Sequence, residues 1–377
     1  MKNTLIGWHA GTGWTSFEDA DPHLVLCFAA RSAIDAGCVD ALRAQFPNAQ
    51  IATCSTGGEI LNSEVSDDTA AAALVSFTDS TITTAATDIA DVSGSFAAGQ
   101  QLAAGVAAPN LRCVLILSDG LHVNGARLVE GARSILGDDI VIFGGLAGDG
   151  ADFRQTVVGL NGAPRSHQLV AIGLAGESLQ VGASSFGGWD SFGPERQITR
   201  AQGSVLYELD GQPALALYKR YLGEEAQFLP ASGLMFPLSI RRNADDSEAL
   251  TRTILSVNEA DQSLTFAGEM PQGWAAQLMR GMPDRIVDGA ARAAKDAQWD
   301  GVQTDDSLGL LISCIGRKLM LGQRIQEEVE AVHSEWGGAP TIGFYSYGEI
   351  GPHGATGRCM LHNQTMTALL LTERRAA

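Results

Sequence analysis

Basic residues are scarce in this sequence. Twenty-five Lys and Arg stand against 43 Asp and Glu in 377 residues, a formal charge of −18, and no basic block occurs. Nucleic-acid affinity rests on cations that neutralise phosphates, so DNA, RNA and anionic membranes are poor partners for this chain. Long apolar runs are missing too. LVLCF near Leu24 and TALLL near Leu369 fall well short of the roughly 18 residues a membrane span requires. The opening MKNTLIGWHAGTGW lacks the apolar stretch of a signal peptide, so a cytoplasmic location is expected. Aromatics make up only 6% of the chain. The six cysteines form no CxxC pair and no framework spacing, so they are expected to be reduced and mostly buried.

Strong catalytic motifs are equally absent. The sequence has no GxxxxGK[ST] loop, no HExxH, no zinc-type cysteine pair and no GxSxG elbow. GGLAGDG follows an apolar run but lacks GxGxxG spacing, and the ADFRQTVVGL after it reads as turn and strand. None of the seven histidines is paired at i, i+4 on a helix.

What is present is glycine, 44 residues of it, and a recurring pattern. LVLCFAA, a helical stretch, IATCSTGGEI and AAALVSF make one pass. CVLILSDG, a helix with Leu128, Ala132, Ile135 and Leu136 on one face, IVIFGGLAGDG, TVVGL and LVAIGL make a second. LGLLISCIGRK, a helix with Ile325, Val329, Val332 and Trp336 at helical spacing, TIGFYSYGEIGP and TMTALLL make a third.

The last two passes are each preceded by a strand-like run and Ala/Gly-rich stretches. These are ITTAATDI with residues 95–108, and SLTFAGEM with GWAAQLMRGMPD and residues 285–297, the Ala/Gly-rich stretches being read as helical. The pattern predicts an α/β fold of two packed, pseudo-duplicated layered domains with repeated strand-helix-strand units, over 22–190 and 191–375. The Gly-rich GASSFGGWDSFGPERQ lies between the halves, and RRNADDSEAL reads as a polar hairpin or loop.

Each pass ends a strand in glycines plus a charged or hydroxyl residue: Ser55, Thr56 and Glu59; Ser118 and Asp119; Asp149; Arg317; Tyr345, Tyr347 and Glu349. Ligands of open α/β sheets sit outside strand carboxyl ends, so these turns are candidates to converge on one crevice. Cys314 precedes Gly316 and Arg317. This is either a thiol activated by the guanidinium, the nucleophile of a thiol-dependent enzyme, or a buried strand-end thiol. Arg317 either holds an anionic ligand or forms an internal salt bridge, with Glu349 as a partner in reach. His353 and His362 are the first candidates for haem ligation, with His333 third. No CxxCH motif occurs, so any haem would be a non-covalent b-type group.

CIGRK, GFYSYGEIGP and LHNQTMTALLL, in that order, resemble the C-terminal FIST domain. STGGEI and FGGLAGD resemble the N-terminal FIST domain, and the segment from SFGGWD to GQPAL resembles their junction. The resemblance implies a sensory, ligand-binding module of signal transduction for small molecules such as amino acids. One similar bacterial subgroup (NosP) binds haem, senses nitric oxide and regulates histidine kinases or cyclic-di-GMP enzymes, which would make a histidine kinase, diguanylate cyclase or phosphodiesterase the partner. Cys314, Gly316, Arg317, Tyr345, Gly348, Glu349, His362, Asn363 and Thr365 occupy the motif positions. With Tyr347 they offer flat faces, short donors and acceptors, and charge, which suits an anionic or amphipathic ligand.

Overall fold

The computed structural model describes residues 1–17, 21–243, 249–299, 302, 307–354 and 356–374. Its framework is the thrice-repeated pass. In each, an apolar strand leads through helix into a second strand lying parallel beside it. The pairs are Leu24–Ala29 with Gln50–Ser55, Leu111–Ser118 with Val141–Leu146, and Leu308–Cys314 with Thr341–Ser346. A strand buried on both faces reads as a continuous apolar run instead of an alternation, which is why LVLCFA and LGLLISC are recognisable without periodicity. Against each first strand lies an antiparallel one: Ala70–Ser76, Gln168–Ala175 and Met366–Glu373. A further strand continues each sheet, namely Lys2–His9, Thr81–Asp88 and Leu179–Phe186.

The fourth side of each sheet is borrowed. Glu59–Leu61 of the first pass pairs with Thr341–Ser346 of the third. Gly348–Pro352 of the third pairs with Val141–Leu146 of the second, and Val158–Leu160 of the second pairs with Gln50–Ser55 of the first. The exchange closes a ring. The three sheets share one interior, where Leu26, Phe28, Leu115, Phe143, Ile312 and Phe344 belong to a single cluster and the rings of Phe28 and Phe344 lie 4.7 Å apart. Helices cover the outer faces. Val329, Val332 and Trp336 are fully buried as the helical spacing predicts, whereas Ile135 of helix Gly125–Leu136 is 47% exposed and Leu128, Val129 and Ala132 carry that face.

A fourth sheet is inserted between the second and third passes, with its own core around Ile198, Leu206, Leu264 and Phe266 and the helix Ala214–Leu222. The Gly-rich segment between the halves is strand, not linker: Leu179–Phe186 and Trp189–Gln202 are separated only by Gly187 and Gly188. Gly188 has φ +84°, and an added Cβ would come within 2.2 Å of the Arg285 carbonyl, so only glycine fits this corner. GWAAQLMRG is also strand, over Ala275–Gly281. Ala276 and Leu278 face the inserted core while Ala275 and Gln277 beside them are half-buried, an alternation that overrides the helix-like composition. The flanks of RRNADDSEAL form a hairpin, Leu238–Arg241 against Leu250–Arg252, and its tip, residues 244–248, lies outside the described residues.

Candidate functional site

The strand-end turns build three similar carboxylate clamps. Thr56 Oγ1 donates to Glu59 Oε1, while Thr69 donates to Oε2 through its N–H at 3.2 Å and its hydroxyl at 2.6 Å. In the third pass Ser346 Oγ donates to Glu349 Oε1 at 2.8 Å, while the Thr365 N–H and hydroxyl donate to Oε2 at 3.1 and 3.0 Å. Burial pushes both carboxyls up to about 7, against the pull of these donors. In the second pass Asp119 takes the N–H groups of Leu121, His122 and His167 at 2.8, 2.9 and 2.7 Å. Burial raises its pKa, but the backbone donors outweigh it and hold the carboxyl below the ordinary range. Thr69, His167 and Thr365 occupy one position of the repeat, each immediately before its antiparallel strand.

Arg317 is fully buried, and its acidic partner is Glu328, not Glu349. Its Nε and Nη2 donate to Glu328 Oε2 at 3.0 and 2.7 Å, Nη2 also to the Ile286 carbonyl at 2.8 Å, and Nη1 to the Gly187 carbonyl. Glu328 Oε1 in turn accepts from Ser313 Oγ at 3.1 Å and Tyr345 Oη at 2.8 Å. This network is internally satisfied and holds the helix Ile325–Glu335, the strand Leu308–Cys314 and the Gly187 corner together. Cys314 is 3% exposed, and burial first, then Glu349, pushes its thiol far above the ordinary value, which keeps it protonated. All six cysteines are free and buried.

Glu349, His362, Asn363 and Thr365 converge on the LHNQT turn. Glu349 and His362 are paired across strands. Gln364, at φ +65°, reaches over Gly316 to donate to the Leu234 carbonyl at 2.8 Å, and its own carbonyl accepts from Trp189 Nε1 at 2.9 Å. This turn therefore ties the three-sheet body to the inserted sheet.

His353 and His362, the alternative candidates for a haem axial ligand, lie next to each other. Their rings stack with centroids 5.9 Å apart and planes 18° from parallel. His362 is 6% exposed, its Nε2 donates to the Gly351 carbonyl at 3.0 Å, and burial lowers its pKa to about 3, so it is neutral with that nitrogen engaged. Neither ring lines the larger cavities. His333 borders its helix with Nδ1 buried and unbonded. Among the described residues no cluster of three or more ligating side chains is arranged for a metal.

A cleft of about 230 Å³ does open at the strand ends. One wall is the second-pass turn Gly120–Asn124 with Leu146, the opposite wall is Phe266–Gly268 and Leu255 of the inserted sheet, and Tyr347 of the third pass stands between them. The Tyr347 ring stacks on Phe153 at 4.3 Å and 13°. Its hydroxyl donates to Asp149 and accepts from the Asp149 N–H at 3.2 Å and the Phe153 N–H at 3.3 Å. Phe153 has φ +53°, a conformation that a bulky non-glycine residue adopts at a cost. The walls are apolar, with Asn124, Ser204 and Thr265 as polar points, the make-up of a small-molecule site.

Of the residues singled out from sequence, only Tyr347 lines this cleft; Asp119 and Asp149 brace it from behind. Leu121, Asn124, Leu255 and Phe266 were not singled out, because the two walls lie far apart in the chain and only the SDG turn carries a local signal. A larger groove of about 430 Å³ passes Trp189, Arg285 and Arg292, whose guanidiniums already pair with Asp190 and Asp296.

Parallel strand pairs with a crevice at their carboxyl ends, closed by an inserted sheet, define an α/β architecture. The chain belongs to the FIST family: the FIST N domain matches residues 23–212 and the FIST C domain residues 214–352. FIST domains are associated with sensing in signal transduction. Two uncharacterized proteins of Mycobacterium tuberculosis, from strains CDC 1551 and H37Rv, are each 25% identical to this chain over 225 residues. That match covers 55% of this chain and 56% of each relative, so the chain spans just over half the length of the relatives it matches. No helix among the described residues is long and apolar enough to cross a membrane.

Proposed function

We propose that this protein is a small-ligand sensor whose ligand enters the cleft between Gly120–Asn124, Tyr347 and Phe266–Gly268, and whose occupancy is passed to a separate signalling enzyme. The observation that carries this is the cleft's construction. Its walls come from the second pass, the third pass and the inserted sheet, so a ligand that touches all three favours one arrangement of them over others. Tyr347 links the ligand space to Asp149 and, through its own strand-end turn, to the Glu349 clamp. The ligand class is a small metabolite, since about 230 Å³ lies below the roughly 300–1,000 Å³ of drug-sized sites. The partner proposed from the family resemblance is a histidine kinase or a cyclic-di-GMP enzyme.

The test is a thermal-shift and calorimetric screen of a metabolite panel against the full chain and its Ala267→Phe variant, which fills the cleft. A ligand specific to the native state must raise the melting temperature. The expected result is at least one saturable ligand of the wild type that the filled variant no longer binds. Binding unaffected by the filling would overturn the assignment of this cleft.

A further inference from the structure

One long sheet edge is left open. Thr81–Asp88 is the outermost strand of the second-pass sheet, and the elements packed along its length are Gln168–Ala175 on one side and the helix Ser95–Val106 over one face. Its register with Gln168–Ala175 runs through all eight residues without a bulge. Just beyond, the Ile89 N–H donates to the His167 carbonyl at 2.9 Å, in the same register. Hydrogen-bonded pairs alternate in an antiparallel ladder, so Thr81, Thr83, Ala85 and Thr87 bond inward, while Ile82, Thr84, Ala86 and Asp88 turn their N–H and C=O groups outward. None of these outward groups has a partner among the described residues. Native edges are usually guarded by Lys, Pro, a bulge or a covering segment. The corresponding strands of the other two sheets have some cover: Lys2–His9 meets Gly13–Trp14, and Ser185 of Leu179–Phe186 bridges His353. TITTAATD has no such guard, and its single charge, Asp88, is already paired with Arg165 at 2.7 Å.

The helix beside the edge is equally bare. Ser95–Val106 contains no charged residue, and across residues 81–108 the only charges are Asp88 and Asp91. Gly99 lies against Leu128 of the neighbouring helix, while Gly105 abuts Ala85 and Gln101 accepts from the Thr87 hydroxyl at 2.8 Å. The side toward the open edge is therefore made of Gln101, Gly105 and the exposed Ala97, one helical turn apart. The helix overlies both Thr81–Asp88 and Gln168–Ala175, so its axis stands about half a strand spacing inside the edge. An identical helix across a two-fold axis on that edge would run roughly 10 Å away, the distance at which helices with small contact residues pack.

These features fit a second copy of this chain. Two molecules of charge −18 repel each other, and a contact between them is least opposed where charge is scarce. We propose that this edge is the interface of a homodimer in which Thr81–Asp88 pairs antiparallel with its copy across a two-fold axis at Ala85, joining the two six-stranded sheets into one. In that register Ile82 faces Asp88 of the second copy and Thr84 faces Ala86, so every outward group is satisfied, by about eight hydrogen bonds in all. Thr83 stands opposite Thr87, a β-branched pair that favours strand association. The two Asp88 carboxylates lie at opposite ends of the seam and do not face each other. The interface is independent of what the cleft binds.

Sedimentation of the full chain over a concentration series should reveal a species of twice 39.5 kDa. Ala86→Lys puts a cation at an exposed position of the edge and should raise the dissociation constant at least about tenfold, with the circular dichroism of the chain unchanged. The same change makes the molecule less negative, so relief of general repulsion would act in the opposite direction. Ala85→Cys should form an intermolecular disulfide with oxidised glutathione, because residues facing each other in a non-hydrogen-bonded pair have Cα atoms about 4.5 Å apart. The six native cysteines are buried and do not compete. A chain that stays monomeric at tens of micromolar, leaving the edge to an extended segment of another protein, overturns the proposal. So does a dimer whose dissociation constant Ala86→Lys leaves unchanged, or one that Ala85→Cys fails to cross-link.

Discussion

Arg317 shows how a residue's chemistry can suit two roles that only its neighbours separate. A guanidinium at a strand-to-helix turn suits an anionic ligand, yet here Glu328, Ser313 and Tyr345 complete an internal network around it. The signal for this was available: Glu328 is an acid among Val329 and Val332 on the buried face of its helix. Removing one member of a buried pair strands the other, so Glu328→Gln should destabilise the protein by about 3–5 kcal/mol in denaturant unfolding. The double replacement Arg317→Met with Glu328→Leu should recover much of that loss, since a well-packed apolar pair avoids both desolvation costs. A double variant as unstable as the sum of its singles would show that the two charges act independently.

At the scale of the element, the strand-end turn is a repeated device whose glycines and acid were visible in STGGEI and SYGEI, but whose closing residue was not. Thr69 and Thr365 sit ten and sixteen residues beyond their glutamates, at strand starts without any motif of their own in the first pass. The clamps carry a pH dependence whose sign follows from linkage. Glu59 and Glu349 keep their protons in the fold up to about 7, whereas the unfolded chain releases them near the ordinary 4.5. Their contribution to stability is therefore complete below pH 4.5 and is lost as pH rises toward 7, by about 3 kcal/mol for each group at ~1.4 kcal/mol per pH unit. Glu349→Gln, which keeps the shape and a donor while removing the titration, should flatten part of the fall in unfolding free energy between pH 4.5 and 7. An unchanged slope in that variant would mean that Glu349 is already ionised in the fold.

For the whole molecule, the three passes were legible because buried strands are continuous apolar runs, and the inserted sheet was not, because its strands are largely half-exposed, most are short, and Ala275–Gly281 is partly built from Ala and Gly. The exchange between passes was also hidden, since an edge strand's partner is chosen by geometry after folding and leaves no local pattern. That exchange has a consequence for how the chain can be divided. Cutting after residue 190 leaves Glu59–Leu61 without Thr341–Ser346, Val141–Leu146 without Gly348–Pro352, and Leu179–Phe186 without Met366–Glu373. It also removes Ile312, Phe344 and Leu369 from the interior shared by all three sheets. Unpaired edges and an opened apolar core favour association over folding. A fragment of residues 1–190 should therefore be aggregation-prone and lack a cooperative melting transition, while the full chain should unfold with coincident transitions by fluorescence and circular dichroism. A monomeric fragment with a sharp transition of its own would show that the first two passes close without the third, and that the borrowed strands are docked onto the fold without being part of what makes it cooperative.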